Sequence, residues 1–279
     1  MEMINLGILG PTGRMGKSII LESKVFQNIK LVSLCESIGH QDVGKELQGV
    51  KIIDDLNEIV SSCDVIIDFT IPNGTLSLMK AMQKNKRVAL VTGTTGHEKE
   101  EELRFNHLLR GLKVLRSSNM SLGINLLSNV SKFIASRLGH EVDIEVIEAH
   151  HKDKKDAPSG TAISLGESIA AGRTGSQNNF IYRGLNFNKA REKGDIGFSS
   201  IRGGDIVGDH TVHFLMNGER LEFTHRASER EIFARGSLLA AEWLKNKEPG
   251  LYTLQDMICL LYTSPSPRDV EESRMPSSA

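Results

Sequence analysis

Three glycines between an apolar run and an amphipathic stretch constrain this chain more than anything else in it. Gly10, Gly13 and Gly16 follow the strand candidate Ile4–Leu9 and open a stretch whose spacing predicts a helix from Met15 to about Phe26. Glycine at these places permits a tight turn and lets a pyrophosphate approach the free N–H groups of a helix start. The rhythm then repeats. Ile29–Cys35, Val65–Phe69, Arg87–Val91 and a run beginning at Val114-Leu115 read as strands, with helices predicted over Leu56–Val60 and Thr75–Lys84. Strands alternating with helices across short turns give an α/β class, a Rossmann-like doubly wound parallel sheet.

The glycine loop has two chemical readings. Gly16-Lys17-Ser18 ends like a triphosphate-binding P-loop, but that motif needs a glycine five positions before Gly16. Pro11 stands there, with no N–H to offer a phosphate. The dinucleotide reading fits better, because Glu36 closes the second strand 20 positions after Gly16, where an acid takes the hydroxyls of the adenosine ribose. Ser37 and Ile38 follow Glu36 with no base beside them to meet a 2′-phosphate, which leans toward NADH; His40 or Arg14 could still serve NADPH. Gly93-Thr94-Thr95-Gly96 and Ser117-Ser118-Asn119-Met120 each follow a strand at the sheet edge where such folds bind ligands, though either could be an ordinary turn.

From about Ser121 the texture changes. A helix over Ser121–Leu138 leads into Val142–Ala149, which alternates apolar and acidic residues as a half-buried strand does. A further helix follows Pro158 to about Ala171, and Gly172–Asn179 reads as a mobile loop. Ile196–Ile201, Asp209–Leu215 and Glu219–Arg226 read as antiparallel strands, the last two joined by the hairpin signal Asn217-Gly218. Ser228–Lys245 is helical, with Ile232, Leu238, Leu239 and Trp243 on its buried face. The organisation expected is a dinucleotide domain over 1–120, an inserted α+β substrate and oligomerisation domain over 121–227, and a C-terminal helix over 228–260 returning to the first domain. Residues 261–279, with Pro265, Pro267, Pro276 and serines but no periodicity, read as a disordered tail foreign to the native protein.

Composition excludes several classes. A formal net charge of -1 gives no argument for nucleic acid, and no apolar run reaches the roughly 20 residues of a membrane span. The start lacks the basic and apolar regions of a signal peptide. Cys35, Cys63 and Cys259 are odd in number and widely spaced, so they read as reduced core residues of a cytoplasmic protein and not as a disulfide or zinc framework.

The densest chemistry lies between Glu148 and Ala162. A strand runs out into His150-His151, then a loop with Lys152, Lys154 and Lys155, then a helix start at Pro158-Ser159-Gly160-Thr161. Unpaired N–H groups at such a start, with lysines and histidines beside them, suit a carboxylate-bearing substrate, and His150 or Lys154 could move a proton. A solvated cationic loop and a purely structural cap remain alternatives. A metal site is disfavoured, since adjacent histidines diverge on a strand and no ligand spacing appears.

Taken in order, these segments resemble the signature of the dihydrodipicolinate reductases. The resemblance is carried by Gly10-x-x-Gly13-Arg14-Met15-Gly16, Asp68-Phe69-Thr70-x-Pro72, Gly93-Thr94-Thr95-Gly96 and Asn119-Met120-Ser121-x-Gly123. It continues in the Glu148-Ala149-His150-His151-x-x-Lys154 block with Pro158-Ser159-Gly160-Thr161, and in Arg202-Gly203-Gly204-Asp205 with Gly208 and His210, spanning about residues 4 to 260. It implies NAD(P)H-dependent reduction of 4-hydroxy-tetrahydrodipicolinate to tetrahydrodipicolinate in diaminopimelate and lysine biosynthesis, by a cytoplasmic homotetramer. By match, Gly10, Pro11, Thr12, Gly13, Arg14, Met15, Glu36, Gly93, Thr94, Thr95, Ser117, Ser118, Asn119 and Met120 would bind NADH or NADPH. His150 and Lys154 would handle the proton, and His151, Gly160 and Thr161 would hold the substrate. The departures are Met120, where an aromatic is common, and Ser37, where a base can help with NADPH. Another two-domain reductase, or a dinucleotide-sensing protein without catalysis, are the competing readings.

Overall fold

A computed structural model describes residues 2–173, 179–183 and 187–261, with side chains as far as 258. The loop expected over Gly172–Asn179 and the tail from 262 onward fall largely or wholly outside these residues, as does the Cys259 side chain.

The first half of the chain builds one sheet. β1 (Ile4–Leu9), α1 (Arg14–Glu22), β2 (Ile29–Cys35), the short hairpin β3 (Glu46–Leu47) and β4 (Val50–Ile53), α2 (Leu56–Ser62) and β5 (Val65–Asp68) come first. α3 (Pro72–Met82), β6 (Ala89–Thr92), α4 (Lys99–Leu108) and β7 (Lys113–Arg116) follow. The helix after the glycine loop stops at Glu22, short of Phe26, and one 3-10 turn, Ser23–Val25, replaces its last part. Strands β1, β5 and β6 are buried or nearly so on both sides, which is why they read as continuous apolar runs.

The chain then leaves this sheet and comes back to it. α5 (Leu122–Leu138), β8 (Asp143–His150), α6 (Gly160–Gly172), β9 (Phe180–Tyr182), β10 (Ile196–Arg202), β11 (Gly208–Met216) and β12 (Glu219–Ala227) form a second layer. α7 (Glu231–Lys245), β13 (Gly250–Tyr252) and α8 (Leu254–Leu261) close the chain. The first sheet has the order β13-β7-β6-β5-β1-β2-β4-β3, parallel except for the β3–β4 pair. Its order reverses between β1 and β5, and the loops after these two strands therefore flank a topological switch point. Leu238, Ala241 and Leu244 of α7 share a core with Leu6, Ile8 and Val91.

The second sheet has the order β12-β11-β8-β10-β9. β11 runs antiparallel to β8 and β12, and Gly218 turns their hairpin with φ +85°. One expectation is corrected here: the strand at Ile196 is not antiparallel. β10 runs parallel to both β8 and β9, because α6 crosses over between β8 and β10 and brings the chain back in the same direction. Apolar residues of α5 and α6 pack on Ile144, Val146, Phe198 and Val212, covering one face of this sheet. No helix among the described residues is long and apolar enough to cross a membrane. Cys35 and Cys63 are buried free thiols, and burial, reinforced by neighbouring acids, pushes Cys35 up to about 12.

Candidate active site

The glycine loop stands at the switch point. Gly10 turns the chain with φ +75° and donates its N–H to the Cys35 carbonyl at 2.9 Å. A Cβ at Gly16 would lie 2.3 Å from the Gly10 oxygen and 2.7 Å from Pro11 Cα, so α1 can rest on the loop only because position 16 lacks a side chain. Across the loop, Glu36 Oε1 accepts from the Thr12 N–H at 3.1 Å and its hydroxyl at 2.6 Å. Beside it opens a cleft of about 440 Å³, lined among others by Gly10, Glu36, Ser37, Asp54 and Thr70. Ile38 and Ile71, 88% and 66% exposed, stand at this cleft, which carries two acids and no lysine or arginine in its lining. A turn of this kind at a helix start, with an acid at the next strand end, fits a dinucleotide.

A buried carboxylate ties together the loops on the other side of the switch point. Asp68, fully buried at the end of β5, accepts from the Thr70 N–H (3.0 Å) and from the hydroxyls of Thr70 (2.6 Å), Thr75 (2.5 Å), Thr92 (2.9 Å) and Thr94 (3.1 Å). Three segments, Phe69–Thr70, α3 and Thr92–Thr94, are thus referred to one anion. The ring of Phe69 lies where a Cβ on Gly93 would be, 2.1 Å away, which fixes glycine at the start of that loop. Thr95 is exposed beyond it.

The loop after β7 reaches the second layer. Asn119 Nδ2 donates to Thr161 Oγ1 at 3.2 Å, and Asn119 Oδ1 accepts the Ser121 N–H at 2.8 Å. Ser117 Oγ donates to the Asn119 carbonyl at 2.7 Å, Ser118 is exposed, and the Met120 side chain is buried with the α7 core. A cavity of about 250 Å³ lies here, with Ser117, Ser118, Asn119 and Thr161 in its wall. The first turn of α6 and the loop after β7 therefore face one cleft.

On the second layer, the inward row of β8 runs Ile144, Val146, Glu148, His150. His150 Nδ1 and Glu148 Oε2 are 2.6 Å apart. Arg202 grips the same carboxylate with two nitrogens at 2.7 and 2.8 Å, and the Ser159 N–H donates to it at 3.2 Å. Burial pushes the Glu148 carboxyl up, but the hydrogen bonds from Arg202, Ser200 and His150 outweigh it and hold the group at about 2. Burial lowers His150, and the Glu148 contact only partly offsets this, so the imidazole is neutral at neutral pH. Ser159 caps α6 by accepting from Ala162 N at 3.1 Å, leaving the Gly160 and Thr161 N–H groups without intrahelical partners. Nothing stands within 4 Å of where a Gly160 Cβ would be. Lys154 Nζ lies 2.9 Å from both Asp156 carboxylate oxygens, and His151 is half-buried beside it.

Family models described as dihydrodipicolinate reductase, N-terminus and C-terminus, match residues 4–120 and 123–258. The chain belongs to the dihydrodipicolinate reductase family. It is 40% identical over 269 residues to the 4-hydroxy-tetrahydrodipicolinate reductases of Geotalea daltonii and Geobacter metallireducens, covering 92% of this chain and 100% of each relative. Among solved structures it resembles a dipicolinate-bound dihydrodipicolinate reductase from Paenisporosarcina sp. TG-14, with a TM-score of 0.75 and 24% identity over 91% of this chain and 99% of that one. It also shares its fold with a scyllo-inositol dehydrogenase from Lactobacillus casei bound to NAD(H), at a TM-score of 0.54 and 13% identity, covering 92% and 93% of the two chains.

Within this reductase the residues singled out from sequence fall into two groups, which meet where Asn119 donates to Thr161. Gly10 to Met15, Glu36, Gly93 to Thr95 and Ser117 to Asn119 stand along the carboxyl edge of the first sheet, and His150, His151, Lys154, Gly160 and Thr161 along the end of β8 and the start of α6. Sequence reasoning gave no role to Glu148, Arg202, His210 or Asp68. His210 of β11 is 4% exposed, stacks edge-on against His150 with ring centres 5.2 Å apart, and meets Ser159 Oγ through Nε2 at 3.2 Å. One signal was available: Glu148 and His150, two apart on a strand, share the inward face.

Proposed function

We propose that this reductase uses NAD(P)H to reduce 4-hydroxy-tetrahydrodipicolinate to tetrahydrodipicolinate, with His150 and Lys154 handling the proton and the α6 start holding the substrate. The observation that carries this reading is the Asn119–Thr161 hydrogen bond, which brings the loop of the first sheet against the first turn of α6. The division of labour follows residues 1–120 for the dinucleotide, 121–227 for substrate and assembly, and 228–260 for the return to the first sheet.

The dinucleotide, when bound, supplies the hydride. The chain does the rest. The α1 start and Gly10–Gly13 receive the pyrophosphate, Glu36 the ribose, and Gly93–Thr95 with Ser117–Met120 the nicotinamide end; at Met120, whose side chain is buried, the backbone makes the contact. The Gly160 and Thr161 N–H groups, with His151 and the lysines, hold a substrate carboxylate. The substrate's C4 hydroxyl leaves with a neighbouring ring proton as water, which gives a conjugated ring. After hydride addition at C4, Lys154 donates a proton to the ring anion, while neutral His150 offers Nε2 as an acceptor to the same site. Two acids and no base in the ribose cleft favour NADH.

The homotetramer rests on the sheet face turned away from α5 and α6, where Ile147 lies in register with Thr211 and Thr224, and Ala149 with Ile201. Buried free thiols suit a cytoplasmic location. The test is oxidation of reduced nicotinamide by the purified chain with freshly generated substrate, for wild type and Lys154→Ala. The variant is expected to lose about 10²–10⁴-fold in kcat. Unchanged turnover would remove Lys154 from the chemistry, and no oxidation by wild type would remove the activity.

A further inference from the structure

Glu148 occupies a position that packing alone would fill with an aliphatic side chain. The inward row of β8 is otherwise Ile144 and Val146 up to His150, and the Glu148 side chain is 0% exposed. A buried ion pair is weak evidence for stability, because taking both charges out of water costs about as much as their attraction returns. The reason for this pair is therefore sought in what it holds.

It holds three pieces of the site at once. The carboxylate meets His150 Nδ1 at 2.6 Å and accepts the Ser159 N–H at 3.2 Å, at the cap of α6. Arg202, which clamps it from the end of β10, also donates to the Asp156 carbonyl at 2.6 Å, in the loop where Asp156 pairs with Lys154. We propose that Glu148, clamped by Arg202, is a positioning residue that fixes His150, the Lys154 loop and the first turn of α6 as one unit, acting on the reaction through them without touching substrate. An ionised carboxylate can only accept, so Nδ1 carries the hydrogen and Nε2 is left as the free face of the ring. Nε2 lies 3.1 Å from where a Cβ on Gly208 would be, so glycine there leaves it room. This proposal rests on the reading of His150 given above.

The test uses the full-length chain with Glu148→Gln, Arg202→Lys and His150→Asn, each measured for kcat, KM, the pH profile of kcat/KM and dinucleotide Kd by fluorescence titration. The groups facing His150 are Glu148 on its own strand, Arg202 at the end of β10, His210 on β11 and Lys154 in the following loop. Glutamine keeps the shape but can donate to Nδ1, so the tautomer is no longer imposed. The expected result is a fall in kcat of about 10- to 100-fold, the size found when the hydrogen-bonded partner of a metal-ligating histidine is removed, with dinucleotide Kd unchanged. Because Glu148 supports the imidazolium, the limb of the profile set by His150 moves to lower pH in Glu148→Gln. Arg202→Lys, which keeps the charge but loses the fork, is expected to fall between this variant and wild type, and carries the same test if Glu148→Gln does not fold.

Wild-type kcat and pH profile in Glu148→Gln, alongside an impaired His150→Asn, would overturn the positioning role and leave His150 standing. A His150→Asn enzyme as active as wild type would overturn the reading beneath it. A loss of dinucleotide affinity in step with kcat would overturn the proposal in favour of a general structural role.

Discussion

His210 and His150 touch edge to edge beneath the site, and burial disfavours charge on both. For His210, burial first and His150 second bring it down to about 3 from an ordinary 6.5. The unfolded chain thus binds a proton below about pH 6.5 that the folded chain refuses until about pH 3, so folding stability falls as the pH drops through that window. Denaturant titrations across the window should show this slope, and His210→Gln should flatten it; an equally steep slope in the variant would place the acid sensitivity elsewhere. Glu148 acts lower down. Its folded value near 2 makes its contribution complete above the ordinary carboxylate range, progressively smaller as the pH falls from there, and gone below about pH 2. Of these residues, His150 and Lys154 were legible because the motif sits in one stretch of chain. Arg202 was not legible as a partner, since 54 positions separate it from Glu148 and no local pattern joins them.

Helix starts do most of the work at the next scale. α6 is begun by Ser159, whose hydroxyl takes the Ala162 N–H and whose own N–H is taken by Glu148. Removing the hydroxyl in Ser159→Ala should cost about 1 kcal/mol of stability, as lost caps do, and should raise KM for substrate more than it lowers kcat, since the first turn would fray. Calorimetry and steady-state kinetics check both; an unchanged KM would separate the cap from substrate binding. Elements announced by apolar runs or turn residues were readable in advance: β1, β2, β5, β6 and the hairpin at Gly218. Others were hidden for physical reasons. α4 buries only Phe105 and is held at its start by a reciprocal Glu98–Glu101 box, so it has no apolar stripe to detect. β3, β9 and β13 are two or three residues long, too short for periodicity. The direction of β10 depended on the crossover through α6, which no property of Ile196–Arg202 itself encodes.

At the scale of the molecule, the chain visits the first sheet, builds the second and returns. Ala234, Leu238, Ala240, Ala241 and Leu244 from α7, with Leu254 and Met257 beyond, share a core with β1 and β6. The segment 1–120 therefore lacks a wall of its own core. Expressed alone it should be protease-sensitive and lack a cooperative melt, and co-expression with 228–261 should restore resistance; a stable, cooperatively melting 1–120 would show that the return is dispensable.

The two places where the chain passes between the sheets lie side by side. Outbound it passes Met120–Leu122, inbound Ala227–Glu231. Gly236 of α7 has no side chain because one would sit 1.8 Å from the Met120 carbonyl oxygen, and Ser121 Oγ and His225 Nε2 are 3.3 Å apart. Two covalent tethers set close together behave as the pins of a door. Sliding of one layer over the other would stretch both, whereas rotation about the line through them stretches neither. The Asn119–Thr161 contact lies one residue from these pins, and the α8–α5 packing with its Gln255–Ser128 bond joins the two layers farther along.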